Sequence, residues 1–274
     1  MSAALPLPTA PLLLDRSRTR GGVHVVDAAD LTWRGTGRPG LALRCVREDR
    51  AAGQFLGLVG FEPLARSGLH QHQGVATSFF VDGGLTDHSG SAGLHDAGIN
   101  LAGATHDAVA YQRTLLVSRL EAPVSYPLED GPASQLHTGA FNAVIVNARP
   151  EVPPDLNVPV DALQPVHLPL PGTVRRTVFD YAGTGSAHRF SQLTLRPGTA
   201  WPRFEAASLL ELWVRGGAVT LDGRTAHANC FAVIEPGARV QLAAPFGAVL
   251  LAWSEGPVQW PDADAARLGD PFGF

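Results

Sequence analysis

His70 and His72 stand one residue apart in LHQHQGVATSFFVDGG, residues 69 to 84, at the head of an apolar, β-branched and aromatic run that ends in two glycines. Alternate residues of a strand point to the same face, so both imidazoles can reach one side of a sheet. A third, His106, follows in INLAGATH at the end of the next strand-like segment. Three neutral imidazoles from adjoining strands make a facial ligand set for Fe(II), Zn, Cu or Mn, with the remaining positions left to water or substrate. The chemistry this allows is Lewis-acid activation and orientation of a bound molecule. A His-x-His pair is also commonplace on exposed strands, so spacing alone leaves open the reading of two polar rim residues.

Such a set must be held by strands, and the composition supplies them. Of 274 residues, 45% are hydrophobic and only 17% charged, while 30 Gly and 22 Pro suit many short strands joined by turns. The length fits one large domain or two medium ones. The formal net charge is -4 and the arginines are scattered, which predicts no nucleic-acid partner. The opening stretch MSAALPLPTAPLLLDRSRTR has no basic residue before its proline-interrupted apolar part. This predicts neither a signal peptide nor a membrane span, and hence a cytoplasmic protein. Cys45 and Cys230 are too few for a disulfide framework and read as small buried apolar residues. The chain lacks a G-x-S-x-G elbow, a Lys-bearing phosphate loop and a G-x-G-x-x-G after a strand, which removes serine hydrolases, kinases and dinucleotide-dependent enzymes.

The chain also repeats itself. Pro63 aligns with Pro197, Gly103 with Gly237, Glu121 with Glu255 and Pro123 with Pro257, each pair 134 residues apart. The hairpins SFFVDGG and ELWVRGG match after a one-residue shift. Several anchors at one spacing predict two copies of a β module, each a jelly-roll sandwich or small barrel. We expect an arm at 1–22, a first module at 23–128, a proline-rich connection at 129–170, a second module at 171–258 and a tail at 259–274. In the second copy the histidine region reads PGTAWPRFEAASLLELWVRGG, and Val240 stands where His106 would be. All three histidines are lost together, as a single shared role predicts, and Arg203, Glu205 and Glu211 cannot replace three imidazoles. The second module therefore reads as structural, with Trp201, Trp213 and Trp253 as core or interface. His137, His167, His188 and His227 carry no assigned role.

The run PLARSGLHQHQGVATSFFVDGGLTDHSG, followed by GINLAGATH, resembles the two cupin motifs, most closely those of ChrR-like cupins. The similarity extends back through VHVVDAADLTWRGTGRPGLALRCV and, with the second copy, covers roughly Val23 to Val258. It implies an all-β bicupin of two tandem jelly-roll, double-stranded β-helix modules. It also implies one divalent metal held by His70, His72 and His106 together with a glutamate shortly after the His-x-His. The expected glutamate position falls on Ala76 or, with a shift of one, Thr77, and neither is a carboxylate. What is left resembles the three-His arrangement of acetylacetone dioxygenase and cysteine dioxygenase. Gln73, His88, His95, Asp96 and Gln112 are close enough in sequence to be considered as a fourth ligand.

Three functions follow as expectations. The first is a non-haem Fe(II) dioxygenase acting on a small chelating keto- or diketone-type substrate, with Zn, Mn, Cu or Ni as other metals and Phe79, Phe80 and Leu101 keeping the pocket dry. The second is a ChrR-like regulatory or small-molecule-sensing cupin without catalysis. The third is a metal-free structural bicupin. The resemblance implies a homodimer in each case, since cupin sheet edges are commonly covered by a partner.

Overall fold

The computed structural model describes residues 22–126, 155–181, 187–262 and 265–273. His137 and the expected connection as far as residue 154 lie outside the described residues. The described residues are strands joined by turns, with three short 3-10 turns at Ala28–Asp30, Val160–Ala162 and Ala265–Leu268. Among them no helix is long and apolar enough to cross a membrane. They divide into two compact units: Leu31–Val158, and Pro159–Phe274 with the stretch that ends at Asp30.

The first unit carries a seven-stranded sheet in the order Asp155–Pro159, Asp96–Asn100, Ala76–Asp82, Thr114–Leu120, Gln54–Phe61, Leu41–Asp49 and Arg34–Gly35. A second sheet has three short strands, with His70–His72 in the middle, Thr105–His106 on one side and Val124–Ser125 on the other. Period-2 alternation sorts the larger sheet into two faces. Ala76, Ser78, Leu116, Ser118 and Leu120 line a cavity. Thr77, Phe79, Val117 and Arg119 alternate with them, turn the other way and are also buried. A sheet buried on both faces explains why these strands read as nearly continuous apolar runs rather than a clean alternation.

The second unit repeats this plan with the same offset. The strands His70–His72, Thr105–His106 and Val124–Ser125 correspond to Phe204–Ala206, Arg239–Val240 and Val258–Gln259. The pairing registers agree as well: His106 opposite His70 becomes Val240 opposite Phe204, and Val124 opposite His72 becomes Val258 opposite Ala206. Gly103 and Gly237 turn the chain with positive φ of 93° and 81°.

The hairpins are where the sequence alignment needs correcting, because their one-residue shift does not exist in three dimensions. Gly83 and Gly217, 134 apart, hold φ of 69° and 72°, and the bulges at Leu115/Leu116 and Val214/Gly216 fall at matching positions. Asp82 therefore corresponds to Gly216, and the two double-glycine pairs line up in letters only. A left-handed turn fixes the match because it needs a residue without a Cβ. At Gly83 a Cβ would lie 2.3 Å from the Arg113 carbonyl oxygen, and at Gly217 it would lie 2.2 Å from that of Gly247.

The outer strands are exchanged between the repeats. Val23–Asp27 pairs antiparallel with Cys230–Ile234 in the second unit's sheet. Asp155–Pro159, which opens the second repeat, is the outermost strand of the first unit's sheet beside Asp96–Asn100. Each added strand satisfies a row of backbone groups that would otherwise form an open edge. The first repeat, read as a continuous stretch from Val23, thus sends its first strand to the other unit.

Candidate metal centre

His70 and His72 are buried, while Gln71 between them faces the other way and donates to Thr105 Oγ1 at 3.1 Å. Three residues are a short strand, and what holds it is pairing along both edges. His72 N donates to Ala104 O at 2.9 Å, and Gly103 N donates to His72 O at 2.8 Å. Gly103 makes the tight turn that returns the chain as Thr105–His106, so that His106 arrives opposite His70. The approach to His70 is locked too. Asp107 accepts from Gly68 N at 3.0 Å and forms an ion pair with Arg66. Gly68 has φ 75°, and a Cβ there would lie 2.3 Å from the Arg38 guanidinium.

The three rings cluster, with centroids 4.6 to 5.2 Å apart. One ring nitrogen from each lies within 4.8 Å of the others, a group that can hold a metal ion. Two of the rings have their tautomer set by a partner behind them. His70 Nδ1 donates to Gly68 O at 2.8 Å, and His106 Nδ1 donates to Asp87 Oδ2 at 2.7 Å. Both are thereby oriented from behind on Nδ1, the arrangement in which a backbone carbonyl or carboxylate orients a ligating imidazole. His72 Nε2 and His106 Nε2 are 3.1 Å apart. Two ligands on one metal at bond lengths of roughly 2.1 Å span about 3.0–3.4 Å, so the geometry fits.

The electrostatics keep His70 and His72 neutral. Burial, helped by the neighbouring His106, lowers the His70 pKa to about 4. Burial and the two other rings hold His72 well below its ordinary value. Burial would raise the Asp87 carboxyl, but hydrogen bonds from His106 and Ser89 outweigh it and bring the pKa down to about 2. Neutral rings beside a fixed carboxylate are the state in which histidine ligates a cation.

The histidines border a cavity of about 500 Å³ within the first unit. Its apolar wall is Leu43, Phe55, Val59, Phe61, Leu116 and Leu120, and its sheet wall adds the polar side chains Ser78, Asn100 and Ser118. The apolar residues expected from sequence are not those that line it. Phe79 lies on the opposite face, stacked on His95 with centroids 6.1 Å apart, and Phe80 packs into a cluster with Phe61, Ala65, Ala92, Ala110 and Leu116. Leu101 is buried outside the lining. Ala76 does line the cavity, whereas Thr77 points away, so position 76 is the one where a cupin glutamate would meet the histidines.

None of the fourth ligands considered from sequence joins the group. Gln73 donates to Gln71 and Ser125, Asp96 accepts from Gly93 N at 2.9 Å, and His95 sits in a left-handed turn at φ 67° against Phe79. His88 follows Asp87 in the turn toward Gly90–Gly93, and Gln112 lies in the turn before Thr114–Leu120. Sequence reasoning misses Asp87, the residue that orients His106. Its signal is an acidic residue in LTDHSG, one of many loop aspartates until folding places it behind a histidine.

At the matching place in the second unit stand Phe204, Ala206 and Val240, all buried. Trp201 packs beside Phe204 and donates from its indole nitrogen to Thr173 Oγ1 at 2.9 Å. Arg203 pairs with Asp222 at 2.8 Å and Glu205 with Arg239 at 2.9 Å, both near solvent, while Glu211 is fully buried. Trp253 stacks on Phe190 with centroids 4.8 Å apart, as core, and Trp213 is likewise buried. His188 meets Glu255 at 3.0 Å, and His167 lies on an exposed strand. Cys45 and Cys230 are free and buried, as expected.

Residues 22–123 match the ChrR cupin-like domain family. None of the curated proteins matches the chain. Among solved structures, a protein of Nostoc punctiforme proposed to be a dioxygenase superposes with a TM-score of 0.64 at 10% identity, covering 87% of this chain and 82% of its own. Oxalate decarboxylase of Lactobacillus farciminis gives 0.59 at 14%, covering 88% of each chain. A serine-to-alanine mutant of Bacillus subtilis oxalate decarboxylase gives 0.59 at 13%, covering 86% of this chain and 78% of its own. Identities this low speak for fold alone. With the doubled strand plan, the superpositions show the fold of the chain, two cupin-type jelly-roll modules in tandem, and the match to the ChrR cupin-like domain family lies in the first, over residues 22–123.

Proposed function

We propose that the first unit binds one divalent metal through His70, His72 and His106, Fe(II) before Zn, Mn, Cu or Ni, and oxygenates a small keto- or diketone-type chelator. The observation that carries this is the turning together of three buried imidazoles at the wall of a largely apolar cavity of about 500 Å³. When bound, the metal supplies Lewis acidity and open positions for an oxygen donor. The chain's own residues do the rest. Gly68 and Asp87 hold the protons on the rear nitrogens of His70 and His106. Phe55, Val59 and Phe61 exclude water, and Ser78, Asn100 and Ser118 offer hydrogen bonds to oxygens of a ligand. Ala76 leaves the ligand set uncharged and keeps space beside it. The Nostoc protein that shares the fold is itself proposed to be a dioxygenase.

A regulatory, ligand-sensing reading has one observation in its favour. Residues 22–123 match the ChrR cupin-like domain family, whose resemblance implies a regulatory or small-molecule-sensing cupin.

Metal content of protein purified without chelator or affinity nickel, beside a His70→Ala/His72→Ala variant, tests the site. We expect the variant to hold about one metal per chain fewer than the wild type. Equal metal content in the two after anaerobic Fe(II) loading sinks the proposal. Oxygen uptake with β-diketones then separates enzyme from sensor: uptake that needs the histidines supports the first, and ligand binding without uptake the second.

A further inference from the structure

A second group of metal-ligating side chains comes together in the other unit, where nothing in the cupin motifs calls for one. The ligating atoms of Asp27, His227 and Cys230 lie within 4.8 Å of one another. Three segments deliver them: the end of Val23–Asp27, the end of Arg224–His227 and the start of Cys230–Ile234. Asp27 and Cys230 are register partners across the antiparallel pair.

His227 carries an electrostatic requirement. Its Nδ1 lies 3.0 Å from Ala228 O, which needs the ring proton on Nδ1 and leaves Nε2 as an acceptor. That Nε2 faces Asp27 Oδ2 at 3.3 Å. Two acceptors face to face need a positive charge on or between them. A cation bound between them meets that need. Cys230, which also packs in the core of the second unit, brings its sulfur within 4.8 Å of both groups.

We propose that Asp27, His227 and Cys230 form a zinc site. One sulfur, one imidazole nitrogen and one carboxylate oxygen suit a borderline-soft, tetrahedral ion, with water in the fourth position. Zinc bonds of roughly 2.0–2.3 Å place ligand atoms about 3.3–3.8 Å apart, so the group, its atoms within 4.8 Å of one another, closes by up to about 1.5 Å on binding. His227 supplies that movement, since its side chain is 59% exposed. Loading exchanges the S–H bond of Cys230 for a sulfur–zinc bond and releases the proton to water, with no change of oxidation state. The ion would tie the exchanged strand Val23–Asp27 to the sheet it joins.

Co(II), added to the full-length His70→Ala/His72→Ala variant, removes competition from the first unit and reports a thiolate ligand by its near-ultraviolet charge-transfer band. We expect a band that saturates near one Co(II) per chain, is displaced by Zn(II), survives Cys45→Ser and disappears with Cys230→Ser. Cys230 is buried and its variant can fail to fold, so His227→Ala, altered at an exposed side chain, is the second probe. There Co(II) should bind at least about tenfold more weakly. Absence of a thiolate band at excess Co(II), unchanged affinity in His227→Ala, or loss of the band with Cys45→Ser would each overturn the proposal and leave an Asp27–His227 ion pair.

Discussion

Asp87 accepts a 2.7 Å hydrogen bond from His106 Nδ1, and this contact decides which nitrogen His106 turns toward His72, 3.1 Å away. Replacing Asp87 by Asn keeps the shape but removes the charge that favours Nδ1–H. The expected loss of metal affinity is about 10–100-fold. Competition against a fluorescent chelator measures it, and an unchanged affinity would mean that the backbone alone orients His106.

Positions 76 and 77 should respond oppositely to a carboxylate. Ala76→Glu places it at the cavity beside the three imidazoles, and metal retention against a chelator should tighten at least about tenfold, or 1.4 kcal/mol. Thr77→Glu buries the same group on the opposite face and should lower the melting temperature without tightening the metal. Equal metal retention in the two variants would show that the face assignment is wrong.

Chelator-treated protein should lose stability as pH falls from about 6.5 to about 4. The unfolded chain protonates its histidines near 6.5, whereas burial holds His70 neutral down to about 4 and His72 lower still. Across that window the unfolded state binds more protons, so stability rises with pH. The contribution of His70 is of order 3 kcal/mol. Thermal melts at stepped pH on wild type and His70→Gln check the sign: the variant should show the shallower dependence, and parallel curves would contradict it.

Phe204 fills the place in the second unit that His70 holds in the first, with Val240 opposite it where His106 stands. Phe204→Ala should cost about 3–5 kcal/mol through the cavity it opens. Calorimetry should register that loss while metal content stays unchanged. A parallel loss of metal would show that the two sites are not independent.

The strand character of the chain, the duplication at an offset of 134 and the three histidines can all be read from the sequence. Periodicity and repeats are local properties that survive without knowledge of partners. The hairpin shift misleads because Gly83–Gly84 and Gly216–Gly217 match as letters, while a positive φ belongs to Gly83 and Gly217. Hydrophobicity points to Phe79, Phe80 and Leu101 for the pocket, but it cannot tell that Phe79 lies on the far face of a sheet that is buried on both.

By itself the sequence determined residue types and spacing: a His-x-His on a strand, a third His after a glycine turn, and a second copy in which Phe204, Ala206 and Val240 stand in their place. Tertiary structure alone decided that Asp87, rather than any neighbouring aspartate, backs His106, and that Ala76 rather than Thr77 faces the cavity. It also decided that Val23–Asp27 joins the second unit's sheet, where Asp27 meets His227 and Cys230. The reason is physical: hydrogen-bond partners, sheet faces and strand exchange depend on which segments meet in space, and residues about 200 apart along a chain carry no local mark of meeting.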